Sequence, residues 1–148
     1  MHTLTFSQLE SLVGQELGAS DWQLIDQARV NAFAEATGDH QWIHVDVERA
    51  TRELGGPIVH GFLTLSLLPH LSDQLWQVSD ATRAINYGSD KVRFTSTVPV
   101  GARVRLVQRC LSVEPKAGGK LVKMACTIEL EGSQRPACAA ETLMLLFG

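Results

Sequence analysis

The sequence has few cysteines, no long apolar run and little excess charge of either sign. Its three cysteines, Cys110, Cys126 and Cys138, are odd in number and lie in apolar runs, so we expect buried, reduced thiols and a cytoplasmic protein. No run reaches the ~20 uninterrupted apolar residues that a transmembrane helix needs. The N-terminus lacks a basic leader and a long apolar core, so no signal peptide is expected. A formal net charge of −3 gives no electrostatic reason to expect nucleic acid or an anionic membrane as a partner.

Internal repeats, low-complexity segments and linkers are also absent from the sequence. We therefore expect one domain over residues 1–148, which at this length buries roughly 70% of its unfolded surface without disulfides or metals. Hydrophobic residues make up 45% of the chain and charged residues 20%, which is ordinary for a globular protein.

The most apolar stretch, residues 58–76, predicts one long helix. Its first half is apolar on almost every side, and a helix with that pattern is enclosed by the rest of the fold. The sequence Gly55-Gly56-Pro57 predicts a sharp turn before it. His60 and Gly61 would open the helix, where free backbone N–H groups and the positive end of the helix dipole collect.

Apart from a short N-terminal helix, two shorter helices are predicted before the long one, each bounded by a capping residue and a glycine. Asp26 is a good N-cap for a helix that ends at Gly38, and Asp46 for a helix that ends at Gly55. The sequence GDHQWIHVD between these helices predicts a loop that carries unusually many polar and aromatic side chains for its length.

Strand-like segments fill the second half of the chain. They are rich in Val, Ile, Leu and Thr, and turns containing Pro or Gly separate them. With one earlier segment, the predicted strands are residues 22–25, 82–94, 102–113, 121–130 and 136–147. Because four of them are consecutive, we expect antiparallel neighbours. The sequence therefore predicts an α+β fold, in which a curved five-stranded antiparallel sheet surrounds a central helix.

Asp39 and His44 lie five residues apart in the predicted loop and form a candidate catalytic pair. A carboxylate and an imidazole together can polarise one water molecule and move two protons. The N–H groups near Gly61 would stabilise a carbonyl oxygen that gains negative charge. These three functions are what reversible hydration of a double bond conjugated to a carbonyl requires. An Asp-x4-His pair alone is a weak signal, because it often arises by chance.

The residues around this pair resemble the hydratase-2 motif of the MaoC-like (R)-specific enoyl-CoA hydratases. The resemblance lies in two blocks, Phe33-Ala34-x2-Thr37-Gly38-Asp39-x4-His44-x-Asp46 and Gly56-Pro57-Ile58-Val59-His60-Gly61-x4-Ser66. A later turn, Val98-Pro99-Val100-Gly101, is also similar to one that this family carries. Gln41-Trp42 stands where the family commonly has Asn-Pro. At these two positions the sequence resembles the NodN-like branch of the family more closely.

The resemblance implies a hot-dog fold, a homodimer and a coenzyme A thioester as substrate. By position, Asp39 and His44 match the catalytic pair, and Gly61 matches the N–H donor to the oxyanion. Ser66 matches a serine of the site, although its hydroxyl could instead bond back to a carbonyl one turn earlier. His60 is expected to fix the helix entry, with substrate binding as the alternative.

The function that the resemblance implies is (R)-specific hydration of trans-2-enoyl-CoA, or the reverse dehydration of (3R)-hydroxyacyl-CoA. This chemistry needs no cofactor and no metal, and the histidines and aspartates lack the tight spacing of a metal motif. An acyl-CoA thioesterase on the same fold is one alternative, but such enzymes commonly carry a carboxylate on the central helix, where residues 61–71 have none. A non-catalytic acyl-CoA-binding module is a further alternative, because Gln41-Trp42 departs from the Asn-Pro that the family commonly has. Which of Asp39 and His44 acts as the base also stays open, because a coupled pair titrates jointly.

Overall fold

The computed structural model describes residues 1–148, and five α-helices lie in the first half of the chain. They are α1 (Gln27–Thr37), α2 (Trp42–Val45), α3 (Val47–Leu54), α4 (Gly61–Ser66) and α5 (Leu68–Ser72). A 3-10 helix, Phe6–Leu12, precedes them. None of these helices is long and apolar enough to cross a membrane.

The predicted caps of α1 and α3 are confirmed. The Asp26 carboxylate accepts a hydrogen bond from the third backbone N–H beyond it at 2.9 Å, and Asp46 does the same at 3.0 Å. Gly38 and Gly55 end the two helices in the left-handed conformation, with φ of 81° and 83°. Glycine suits both positions because it has no Cβ to make this conformation costly. The segment between the caps is not all loop, since it contains the short helix α2.

The prediction of one long helix over residues 58–76 was wrong. The helix breaks at Leu67, between α4 and α5, and the chain passes into a strand at Trp76. Pro69 accounts for the break, because it has no N–H to donate and its ring crowds the carbonyl four residues earlier, that of Leu65. The backbone of Leu67 stays helical, at φ −76° and ψ −14°.

The prediction that this helix is enclosed on all sides was also wrong for the single chain. One face of α4 and α5 is buried, through Leu63, Leu68 and Leu71. On the opposite face, Phe62 is 67% exposed, and Pro69 is exposed as well. The helix pair therefore lies against the core with one apolar face and presents the other to its surroundings.

The strands form a six-stranded antiparallel sheet and a separate parallel pair. Their bounds are β1 (His2–Leu4), β2 (Glu16–Ala19), β3 (Gln23–Leu24), β4 (Trp76–Val78), β5 (Arg83–Arg93), β6 (Arg103–Lys116), β7 (Gly119–Leu130) and β8 (Cys138–Phe147). The order in the large sheet is β2-β6-β7-β8-β5, and β3 also pairs with β6. The two-stranded sheet joins β1 to β4.

All five predicted strands exist and pair antiparallel within one sheet, but one expected pair of neighbours was wrong. The segments β5 and β6 are consecutive along the chain and yet are not neighbours, because β5 pairs with β8. The chain after β5 instead runs beside the entry to α4, where the Val59 N–H donates to the Val98 carbonyl at 2.8 Å. Strands β1, β2 and β4 were not predicted.

The hydrophobic core lies between the sheet and the buried face of the helices. Residues with inward side chains alternate along β6 and β7, for example Val104, Leu106 and Met124. All three cysteines are buried and unpaired, as predicted. The core therefore joins α4 and α5 to the sheet and holds the start of α4 beside the loop after α1.

Candidate active site

The two residues of the predicted pair, Asp39 and His44, lie in different local structures after α1. Asp39 follows the left-handed Gly38 directly and is exposed. His44 lies on α2, and its side chain is buried. The Gln27 side-chain amide donates to the His44 carbonyl at 2.9 Å, which fastens α2 to the start of α1.

A backbone carbonyl determines how the His44 ring is oriented. His44 Nδ1 lies 2.6 Å from the carbonyl oxygen of Ile58. A carbonyl only accepts hydrogen bonds, so Nδ1 must carry the proton that is donated. In the neutral ring, Nε2 is therefore unprotonated and free to accept a proton.

His60 is buried beside His44 and bonds to the backbone of Asp39. His60 is 2% exposed, and its Nε2 donates to the Asp39 carbonyl at 3.0 Å. Its centroid lies 3.9 Å from that of His44, with the ring planes 25° apart, and 4.8 Å from that of Phe33. No group of the protein bonds to its buried Nδ1.

Asp39, His44 and His60 thus form one cluster at the entrance to α4. Each offers one side-chain donor atom, and these atoms lie within 4.8 Å of one another. A carboxylate and a free imidazole nitrogen at this separation can share one water molecule and move its protons. The same three donors are also of the type that holds a divalent zinc ion.

Gly61 is the first residue of α4 and lies in a cavity of about 200 Å³ together with His44, Thr64 and Phe94. The first N–H groups of a helix have no partner inside it, so the Gly61 N–H is available to an oxygen in this cavity. A Cβ at Gly61 would stand 3.1 Å from carbon atoms of the Phe94 ring. Glycine at this position thus lets the ring close over the helix start.

Ser66 is not brought to this cluster within the chain. Its hydroxyl donates to the Phe62 carbonyl at 2.6 Å, which is the alternative that the sequence left open. It lines a second cavity of about 370 Å³, between the α4–α5 pair and strands β5 and β8.

Two contributors to the site were missed by the sequence analysis. The Ile58 carbonyl is a backbone group, so its side chain gives no signal of the bond to His44. Phe94 follows the end of β5, and nothing in its surroundings marks it as a residue that packs on Gly61. The glycine after His60 was the one indirect sign that another group approaches the backbone there.

Comparison with known families identifies the class of protein. The sequence profile described as "MaoC like domain" matches residues 8–132 of the chain. The chain therefore belongs to the MaoC-like domain family, and its fold is the hot-dog fold that the sequence predicted.

Individual relatives share nearly the whole chain. The sequence is 49% identical over 140 residues to 3-hydroxyacyl-thioester dehydratase Z of Mycobacterium tuberculosis, covering 93% of each protein. It is 44% identical over 150 residues to Nodulation protein N of Rhizobium meliloti, covering 98% of this chain and 92% of that protein. Among solved structures, the (R)-hydratase from A. caviae involved in PHA biosynthesis superposes with a TM-score of 0.71 and 25% identity, covering 89% of this chain and 94% of that one.

Proposed function

We propose that this protein is an (R)-specific enoyl-CoA hydratase that also runs in reverse as a (3R)-hydroxyacyl-CoA dehydratase. The observation that carries the proposal is the clustering of Asp39, His44 and His60 at the first residue of α4. The family match supports it, as do the names of two relatives, a 3-hydroxyacyl-thioester dehydratase and an (R)-hydratase.

In the proposed mechanism, one water molecule is held between the Asp39 carboxylate and His44 Nε2. Its oxygen adds to C3 of the enoyl thioester as a proton passes to the pair, and the pair returns a proton to C2. The Gly61 N–H binds the thioester oxygen, on which negative charge develops in the enolate. In dehydration the same steps run backwards, with the proton removed from C2 and water expelled from C3.

His60 has a positioning role in this proposal. Its bond to the Asp39 carbonyl and its stacking on His44 join the two catalytic residues through one buried ring. Holding both groups in place before the reaction lowers the entropy that the transition state must lose. For Ser66 we propose contact with the acyl chain, because it lines the larger cavity between helices and sheet.

We also propose a homodimer, in a cytoplasmic protein. Strand β5 is at the edge of the large sheet, and edge strands offer unpaired N–H and C=O groups to another chain. Ile85 and Tyr87 on this strand are exposed, as is Phe62 on the outer face of α4. Exposed apolar side chains at a sheet edge and on a helix face offer surface that a second copy of the chain can bury. The three buried, unpaired cysteines fit a reducing compartment.

The proposal is tested with purified protein and crotonyl-CoA, following both the loss of the enoyl absorbance and the release of free thiol. Enoyl loss without thiol is expected. Thiol release would instead support a thioesterase, and binding without either reaction would support a non-catalytic module. In the reverse direction, (R)-3-hydroxybutyryl-CoA should be dehydrated and its (S) enantiomer should not.

A chelator tests whether the cluster works as a metal site. Water activation by Asp39 and His44 needs no metal, so prolonged treatment with EDTA should leave the hydration rate unchanged. Loss of activity that zinc restores would show instead that the three donors bind a catalytic ion.

A further inference from the structure

Gln108 occupies a position in β6 where the strand pattern calls for an apolar residue. Inward-facing residues alternate along this strand, and Leu106 and Cys110 on either side are fully buried. Gln108 faces inward with them and is 3% exposed. Burying an amide costs free energy unless its hydrogen bonds are replaced, so such a residue has to be accounted for.

Gln108 belongs to a buried hydrogen-bond chain that crosses from α5 to the sheet. The Trp76 Nε1 donates to the Ser72 hydroxyl at 2.8 Å, and that hydroxyl donates to Gln108 Oε1 at 3.0 Å. Gln108 Nε2 in turn donates to Cys126 Sγ at 3.4 Å. Cys126 lies directly opposite Gln108 in the β6–β7 register.

This chain leaves the Gln108 amide only half satisfied. An amide has two N–H donors and two acceptor lone pairs, and the protein uses one of each. The bond to Cys126 is also weak, because burial raises the pKa of this thiol and a neutral sulfur is a poor acceptor. One N–H and one lone pair of Gln108 remain for a ligand.

Gln108 and Ser72 both line the cavity of about 370 Å³ between the helices and the sheet, and seven of its fifteen lining residues are hydrophobic. Ligand pockets are generally lined by hydrophobic and aromatic side chains, with a few polar groups that fix the orientation of the ligand. This cavity has hydrophobic side chains, which include Leu65 and Met144, together with the polar side chains of Gln108 and Ser72.

We propose that this cavity selects acyl thioesters that carry a hydroxyl or carbonyl oxygen along the acyl chain, and that Gln108 binds that oxygen. The inference rests on the proposed function, because it takes the cavity as the place of the acyl chain. A hydroxyl can accept from the free N–H of Gln108 and donate to its free lone pair. An unsubstituted chain of the same length displaces water from both groups and replaces neither bond, which disfavours it.

A purely structural role for Gln108 makes a different prediction. The hydrogen-bond chain also ties α5 to β6 and β7, so any change in it loosens the cavity whichever member is altered. Ser72→Ala breaks the link to α5 but keeps the Gln108 amide, and Gln108→Leu removes the amide itself. Recognition of an oxygen by Gln108 is lost only in the second variant.

The test compares trans-2-decenoyl-CoA with its 6-, 8- and 10-hydroxy counterparts as hydration substrates. For the wild type, kcat/KM for the best hydroxylated substrate should exceed that for the parent by about tenfold or more. Gln108→Leu should reduce this ratio to about one or below, and Ser72→Ala should keep it. Using the ratio within each variant cancels any general effect on catalysis.

Two results would overturn the inference. One is a wild-type protein that prefers trans-2-decenoyl-CoA over all three hydroxylated substrates. This result does not depend on whether any variant folds. The other is a preference that survives Gln108→Leu or disappears equally in Ser72→Ala. If the wild type fails to hydrate crotonyl-CoA, the proposed function fails instead, and the same ratio is then read from calorimetric binding of the four thioesters.

Discussion

The imidazole rings of His44 and His60 stack with their centroids 3.9 Å apart. Each ring donates one N–H to a backbone carbonyl, His44 to Ile58 at 2.6 Å and His60 to Asp39 at 3.0 Å. His44 therefore bonds to the segment that leads into His60, and His60 bonds to the loop that carries Asp39, the proposed catalytic partner of His44. The stack fastens the loop after α1 to the entry of α4 and orients the free His44 Nε2 in one direction.

The first prediction concerns the catalytic pair. Asp39→Asn and His44→Ala should each lower the turnover of crotonyl-CoA by at least ~100-fold, as expected for the loss of a positioned acid or base. Because both act on one water, the double variant should be little worse than either single variant. The exposed neighbour His40 gives a matched control, and His40→Ala should keep full activity. Either catalytic variant retaining more than a tenth of the wild-type rate would refute the assignment.

The second prediction separates a positioning role for His60 from substrate binding. His60→Phe keeps an aromatic ring against His44 but removes the N–H that bonds to the Asp39 carbonyl. We expect kcat to fall by roughly tenfold with KM little changed, because only the transition state needs the aligned pair. His60→Gln retains an N–H donor and should recover part of kcat. A large rise in KM at unchanged kcat would indicate direct binding instead.

The third prediction concerns the contact between Gly61 and Phe94. In Gly61→Ala the new methyl group would meet the Phe94 ring at 3.1 Å, so the ring or the helix start has to move. We expect roughly a tenfold loss of kcat/KM, because a displacement here moves the N–H donor to the oxyanion. Phe94→Leu in the same chain should restore part of the activity. The steric explanation would be contradicted if the Gly61→Ala/Phe94→Leu double variant recovered no activity while both it and Gly61→Ala melted like the wild type.

The fourth prediction compares the two faces of the helix pair. Leu71 is 0% exposed, and Leu71→Ala should lower the free energy of unfolding by roughly 2–5 kcal/mol at any protein concentration. Phe62 is 67% exposed, so Phe62→Asp should leave the fold intact and weaken the proposed dimer. Light scattering and the hydration assay, run over a dilution series, should show activity falling as the dimer dissociates. A fully active Phe62→Asp monomer would show that the site is complete in one chain.

The fifth prediction concerns alkaline pH. Burial, helped by the nearby Cys126, raises the pKa of the Cys138 thiol to about 11 from an ordinary value of 9.0. Between pH 9 and 11 the unfolded chain therefore loses this proton while the folded one keeps it, and the free energy of unfolding falls as pH rises. The loss should be on the order of 1–2 kcal/mol. Urea unfolding at pH 8 and pH 10.5 measures it, and Cys138→Ala should show a smaller decrease. An equal decrease in both proteins would assign the effect to other groups.

Helix ends were predicted well because their causes are local. Asp26 and Asp46 bond to N–H groups three residues away, and Gly38 and Gly55 adopt a conformation that glycine tolerates best. Pro69 acts equally locally, through its missing N–H. The apolar pattern of the run around it carries no sign of this, so the pattern predicts one helix where the chain has α4 and α5.

The pairing of strands was harder to predict because it depends on contacts between distant segments. The alternation in β6 and β7 indicated strands, but it carries no information on which strand lies beside which. Only the folded chain shows that β5 pairs with β8, and that β1 pairs in parallel with β4. β1 and β4 have three residues each, too few for an alternating pattern to appear.

The sequence by itself determined which groups this protein has for chemistry. The motif places Asp39, His44, His60 and Gly61 at fixed spacings, and it also indicated the family and the fold. The tertiary structure decided what each of these groups touches. His60 meets the Asp39 backbone across 21 positions of sequence. Its partner is a backbone carbonyl, which every residue has, so the sequence cannot mark it. Only the folding of the chain, which sets the start of α4 against the loop after α1, selects that carbonyl.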